Sequence, residues 1–563
     1  MSYFAAILFG MCKRFLSLVL TAALAATAFT PVAFASAYNA KPKLLVILVL
    51  DQFRGDYLDR FRADFKTPNG FNLFLRRGAY FPECYYDYAN TMTAPGHSTI
   101  GTGAYSNGHN IAVNEWWDLT RSTKHEFSSV DDPYYPLVGA SSDAEAGASP
   151  RNELASTIGD EVVLGTGGKA KLFGISLKDR AAILTSGHAS RGAYWIDHAN
   201  GHFETSTYYM QALPAWVNDF NSKGRPEQAR KEAGAEAGDF YSKVGASPAA
   251  VGYELDFAKA LIAHEGLGKD DVTDVLTISI SSTDILGHQV GPDSPRQRAM
   301  IDAVDVDLNS FFDFLQSHVD GGLDNVWVSL TGDHGVAPSP SVAAKEGMPA
   351  ATFSVSAVEA ELDRELSAKL SPNEPVKFIL GGELPYIQLD ERAFARFSVN
   401  EADAEALVAK ILPGALDATQ AAVLKAAPNS HSLRPATLRR VYTKVQIAAG
   451  NVPNTEEGQL ILHSYSTNGG WWVMVTPGMY QMSGFASSGT THYTPYSYDR
   501  HVPLAFFGTP FVPGTYLERT APVDIAATFA ALLGVNQPSA CVGHVLTEAL
   551  KPQKAVASRS GPR

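Results

Sequence analysis

The sequence predicts an α/β protein: a central, mostly parallel β-sheet sandwiched by helices, with inserted cap regions. Three stretches, residues 43–50, 275–281 and 326–330, are apolar with little polar alternation, as expected of strands covered on both faces. Helical spacing lies between and beyond them. Residues 299–319 repeat apolar side chains at Met300, Ile301, Val304, Leu308, Phe311, Phe312 and Leu315, and residues 522–534 read as a helix stopped by Gly534. Strands alternating with helices place the helices on both faces of one sheet.

Composition sets bounds on function. With 45% hydrophobic and 18% charged residues the 563-residue chain is globular material, enough for one large domain or two. Its net charge of −13 supplies no basic face, so nucleic-acid binding is not expected. Residues 1–35 read as a secretory signal peptide: Lys13 and Arg14 precede an apolar run over 15–29, and Ala33-Phe34-Ala35 is a small-x-small cleavage site. Met11 is an equally good start. The run is short for a bilayer, so no membrane anchor is expected after cleavage, and the location expected is periplasmic or secreted. Cleavage takes the net charge from −13 to −15. It also removes Cys12, leaving Cys84 and Cys541, whose pairing in an oxidising compartment depends on a separation that sequence does not give. Residues 36–563 then form one catalytic domain with insertions at about 115–260 and 340–480.

Along the chain, the first strand ends in Asp51, at the carboxyl edge where open parallel sheets bind ligands; a plain turn cap is the other reading. Thr93-Ala94-Pro95-Gly96 reads as a helix start with Thr93 at the N-cap. An anion beside its hydroxyl suits the free N–H groups and dipole there, although Thr also serves as a simple cap. Asn114 lies in a loop. Residues 172–177 are strand-like and lead to Lys178 and Arg180, which alternation along an extended segment puts on one face. Past the second apolar strand come Asp284 and His288, four residues apart and on one side of a helical turn. Asp333-His334-Gly335 follows the third, and Thr490-Thr491-His492 presents a histidine from a loop. The stretch from 340 to 480 carries a helix near 355–370 and is expected to be lid or periphery.

Asp51, Asp284, His288, Asp333, His334 and His492 make six N/O ligands that divide into two sets of three, leaving room on each ion for substrate or water. Carboxylate and imidazole without thiolate favour Zn2+, with Mn2+ or Co2+ as substitutes.

In this order the motifs resemble the alkaline phosphatase superfamily from about residue 44 to 534. Thr93 with the run Gly108-His109-Asn110-Ile111 through Asn114 resembles its branch of nucleotide pyrophosphatase/phosphodiesterases and certain bacterial alkaline phosphatases. Asn110 departs from the Gly often found there. Lys178-x-Arg180 is similar to the pair in the monoesterase members. The resemblance implies two Zn2+ per chain, one held by Asp284, His288 and His492, the other by Asp51, Asp333, His334 and Thr93. It implies Thr93 as nucleophile, forming a phosphothreonine, and Asn114, Lys178 and Arg180 on the phosphoryl oxygens of small phosphate esters. A phosphodiesterase of the same fold, a serine hydrolase using Ser98, and a non-catalytic binding protein are the rivals. His97, His109 and His501 are read as structural.

Overall fold

In the computed structural model, which describes residues 41–122, 125–139, 146–236, 238–426, 433–484 and 489–552, the sheet is built outward from Leu44–Leu50 (β1). Every residue of β1 is buried, because a strand between two helical layers has no wet side. The leader reading falls on residues 1–35, outside the described residues. The other strands of this sheet are β2 (Ala79–Tyr85), β3 (Asp131–Val138), β4 (Gly147–Ala148), β5 (Leu172–Ser176), β6 (Gly192–Ile196), β7 (Phe203–Ser206), β8 (Asp274–Ile280) and β9 (Val326–Gly332). They are joined near the C-terminus by β14 (His501–Phe507) and β15 (Gly514–Thr515), and the 11-stranded order is β15-β2-β14-β9-β1-β8-β5-β6-β7-β3-β4.

The centre, β9-β1-β8-β5-β6, is parallel, as expected. The flanks are largely antiparallel: β14 runs against β9 and β2, and β7 against β6 and β3. Register matters more for function. Leu50 pairs with both Ile280 and Gly332, so three neighbouring strands end level and Asp51, Ser281 and Asp333 step off one edge.

The stretch 115–260 corrects an expectation. A cap is expected there, yet β3 to β7 lie within it and continue the main sheet. Short strands and polar connections give the cap signal: β5 to β7 are buried but only four or five residues long, and much of β3, near the sheet margin, is exposed or half-buried.

Four helices set the site: α1 (Thr93–Thr102), α2 (Asp179–Ser186), α3 (Pro248–Glu265) and α4 (Ser282–Val290). Helix α5 (Pro295–His318) carries the predicted apolar stripe into the core. Two local expectations shift. Met92, with extended backbone, is the N-cap of α1 and Thr93 its first helical residue. Lys178 is the N-cap of α2, so Lys178 and Arg180 converge through a strand-to-helix turn, not through an extended segment.

The described part of 340–480 carries a second sheet. Antiparallel β10 (Ile379–Gly381), β11 (Tyr386–Leu389), β12 (Leu438–Thr443) and β13 (Trp471–Pro477) pair in the order β10-β11-β13-β12. Helices α6 (Val355–Leu370) and α7 (Glu401–Ala426) accompany them. The apolar cluster of this region, including Leu362, Leu412 and Val473, runs on into Ala94 and Ile183 and so seats the cap on α1 and α2. Helix α8 (Asp524–Leu533) ends at Gly534 in the left-handed conformation, φ 66°, as read from the sequence. Cys84 and Cys541 are both free thiols. No described helix is long and apolar enough to cross a membrane.

Candidate functional site

The level strand ends deliver the acids. Asp51 follows β1, Asp333 and His334 follow β9, and Asp284 and His288 stand one turn apart on α4, with His288 Nε2 3.0 Å from Asp284 Oδ1. His492 arrives from the loop before β14, its Nε2 3.8 Å from Asp284 Oδ1. His334 Nε2 lies 3.6 Å from Asp51 Oδ1 and 3.5 Å from Asp333 Oδ2. Two groups bring all their ligand atoms within 4.8 Å of one another: Asp51, Asp333 and His334, and Asp284, His334 and His492. The second differs from the expected trio, because His334 lies between the two centres and stacks on His492 at 3.5 Å, while His288 flanks Asp284.

The donor atoms are prepared for cations. Asp51 Oδ1, Asp333 Oδ2 and His334 Nε2 are buried without a hydrogen-bond partner, although buried polar atoms are nearly always satisfied. Each imidazole is oriented from behind: His334 Nδ1 lies 3.0 Å from the Gly335 carbonyl, His492 Nδ1 2.6 Å from that of Thr91, and His288 Nδ1 2.9 Å from that of Thr490. A carbonyl only accepts, so Nδ1 carries the proton; in the neutral His334 and His492 rings the Nε2 lone pair then points into the site, while His288 Nε2 faces the Asp284 carboxylate. Burial keeps His334 neutral, lowering it to about 4, and holds His492 well below the usual imidazole range. These atoms fit hard or borderline divalent ions.

Charge is unbalanced in this cluster. Burial and the neighbouring Asp51 hold the Asp333 carboxyl well above its usual range. Burial would raise Asp284 too, but His288 and Lys178 outweigh it and hold Asp284 well below. Lys178 Nζ sits 2.6 Å from Asp51 Oδ2 and 2.6 Å from Asp284 Oδ2, so one buried ammonium serves two carboxylates.

Thr93, buried at the first position of α1, places its Oγ1 3.5 Å from Lys178 Nζ. The Pro-Gly that follows has a packing reason. A Cβ on Gly96 would stand 2.3 Å from the Asp333 carbonyl oxygen, so only glycine lets α1 press against the Asp333 turn. His97 ties the same parts together, with Nδ1 2.8 Å from the Thr93 carbonyl and Nε2 2.7 Å from Ser279 Oγ. His109 and His501 likewise bond Thr99 and the Pro82 carbonyl. Asn110 takes the left-handed conformation, φ 70°, which Gly and Asn both tolerate.

A cleft of about 370 Å³ opens over the cluster, lined by Thr93, Asn114, Lys178, Arg180, Asp284, His288 and His492 among others. Every predicted phosphoryl-contact residue therefore reaches it. Ser98, the rival nucleophile, is fully buried and does not line it. Tyr241 and Glu383 are among the lining residues that the sequence does not mark. Tyr241, between α2 and α3 in the chain, forms a wall with no motif to mark it. Glu383 comes from the cap turn between β10 and β11, where a single acid in a Gly-Gly-Glu-Leu-Pro turn has no spacing signal.

A parallel-centred sheet with two buried Asp/His groups able to hold metal and a threonine-started helix at its carboxyl edge fits a phosphoester-processing class. The chain belongs to the type I phosphodiesterase / nucleotide pyrophosphatase family, within the alkaline phosphatase superfamily; the family model matches residues 45–437. It is 32% identical over 549 residues to alkaline phosphatase PafA of Elizabethkingia meningoseptica, covering 91% of this chain and 95% of that one. It is equally similar, 32% over 550 residues, to alkaline phosphatase PhoV of Synechococcus elongatus, covering 91% and 94%. The crystal structure of wild-type PafA superposes with a TM-score of 0.79 at 29% identity, over 91% of this chain and 99% of that one.

Proposed function

We propose that this protein is an exported alkaline phosphatase that hydrolyses phosphate monoesters through a phosphothreonine at Thr93. One observation supports the reading: Thr93, Asn114, Lys178 and Arg180 line one cleft with Asp284, His288 and His492, and the buried Asp51, Asp333 and His334 group adjoins them through His334. Asp284, His288 and His492 would hold one Zn2+, and Asp51, Asp333, His334 and Thr93 the other, with His334 between them. When bound, such ions act as Lewis acids that offset negative charge on the reacting oxygens and make a hydroxyl acidic near neutral pH.

The chain's own groups then do the following. Thr93 Oγ1 attacks phosphorus in line, its bond to phosphorus forms as the ester P–O bond breaks, and the alcohol departs with a proton. Water then attacks the phosphothreonine from the side the alcohol left, opposite Oγ1, the P–Oγ1 bond breaks, Oγ1 regains a proton, and inorganic phosphate leaves. Asn114, Lys178 and Arg180 bind the non-bridging oxygens throughout. A monoester dianion carries one more negative charge than a diester, so two side-chain cations aimed at it favour the monoester. Residues 1–35 would direct export.

Metal analysis of the purified protein, with kcat/KM on an aryl phosphate monoester and its diester, tests this. Two zinc ions per chain and a monoester preference are expected. A diester preference overturns the monoester assignment, and turnover in metal-free protein overturns the chemistry.

A further inference from the structure

Asn114 is gripped from two sides. Its Oδ1 accepts the Ala94 N–H at 2.8 Å, in the first turn of α1 directly after Thr93. Its Nδ2 donates to Glu383 Oε1 at 2.7 Å, while the Asn114 and Glu115 backbone N–H groups donate to Glu383 Oε2 at 2.9 and 3.1 Å. Glu383 is itself fixed, since the Tyr386 N–H closes the cap turn onto the Glu383 carbonyl at 3.1 Å. A flipped Asn114 amide would set oxygen against the carboxylate and NH2 against the Ala94 N–H, so both neighbours reject it. Of the two Nδ2 hydrogens, Glu383 takes one. The other remains for an acceptor in the cleft that Asn114 and Glu383 both line.

We propose that Glu383 is a positioning residue of the phosphoryl pocket, lent by the cap, that locks the Asn114 amide with one N–H presented to a non-bridging phosphoryl oxygen. This rests on the phosphatase reading above. The cap is then a working part of the site: the α1 start, the Asn114 loop and the cap turn form one hydrogen-bonded chain, Ala94 to Asn114 to Glu383. Gln in place of Glu383 keeps the shape but turns an NH2 toward at least one of the three N–H donors, and the lock is lost.

The test uses the zinc-loaded full chain and three measurements: calorimetric binding of inorganic phosphate, kcat/KM on an aryl monoester and its diester, and thermal melting. Glu383→Gln and Glu383→Ala are each expected to weaken phosphate binding and monoester kcat/KM by about tenfold, the worth of one charge-assisted hydrogen bond to a phosphoryl oxygen. Diester turnover should fall less. In the Asn114→Ala background, Glu383→Gln should change phosphate affinity by less than about twofold, because the group it acts through is gone. Unchanged phosphate affinity in the single variants overturns the proposal, as does the full effect persisting without the Asn114 side chain. Equal loss on both esters with a lower melting temperature also overturns it, by making Glu383 a purely structural residue. A wild type that neither binds phosphate nor hydrolyses the monoester defeats the phosphatase reading itself. A wild type that does both, with Glu383 variants indistinguishable from it, defeats this inference alone.

Discussion

Lys178→Ala should destabilise the protein far more without metal than with it. The buried ammonium lies 2.6 Å from a carboxylate oxygen of Asp51 and 2.6 Å from one of Asp284. Asp333 adds a third buried acid beside Asp51. Removing one partner from a buried ion pair costs about 3–5 kcal/mol, chiefly by stranding the other charge. With cations on the same carboxylates the stranded charge is already neutralised, and the loss should approach the value of an exposed pair, below about 1 kcal/mol. The difference, a few kcal/mol, must reappear as tighter zinc binding in the variant, because a ligand stabilises whichever state it binds. Urea unfolding in chelator and in excess zinc, for wild type and variant, measures all four corners. Equal destabilisation with and without zinc, or weaker zinc binding by the variant, would show that Lys178 and the cations do not share these carboxylates. On the loaded enzyme the same variant should lose monoester activity far more than diester activity.

Three further expectations are independent of that one. Thr93→Ala should abolish turnover while metal content, measured by plasma emission, stays at two ions per chain; residual turnover at wild-type rate points to another nucleophile. Chelator should inactivate the enzyme and an organophosphate serine reagent should not, since Ser98 is buried away from the cleft; covalent labelling of Ser98 with loss of activity contradicts this. Asp499, buried beneath Thr494 with Oδ2 accepting that residue's N–H at 3.0 Å and hydroxyl at 2.6 Å, is pushed by burial from 3.8 up to about 8. Its folded-state value lies above its unfolded one, so the native state holds the extra proton and stability falls as pH rises through that window. The slope for one group is at most about 1.4 kcal/mol per pH unit. Asp499→Asn should flatten the decline measured by denaturant titration from pH 5 to 8; an unchanged slope removes Asp499 as its source.

The sequence revealed most where function and backbone follow one local rule. Buried strands that end in an acid announce themselves as apolar runs, and the i,i+4 spacing of Asp284 and His288 survives because both sit on α4. What stayed hidden depends on contacts between distant segments. The margin strands β3 and β4 lack long apolar runs because a sheet edge has less to bury, and β5 to β7, though buried, are only four or five residues long. The position of His334 between the two ligand groups is set by the register of β1 and β9, which no spacing encodes. Glu383 reaches Asn114 across 269 positions of chain. The Pro-Gly after Thr93 was legible as a helix start, but its purpose, clearance for the Asp333 backbone, required the fold.

The account stands or falls on a covalent phosphoryl group at one side chain. Zinc-loaded enzyme mixed with excess aryl monoester, quenched in acid within a turnover and mapped by peptide mass spectrometry, should carry one phosphoryl group on Thr93, and none after chelation. Burst turnover with Thr93 unmodified, or with the phosphoryl group on any other residue, would contradict it.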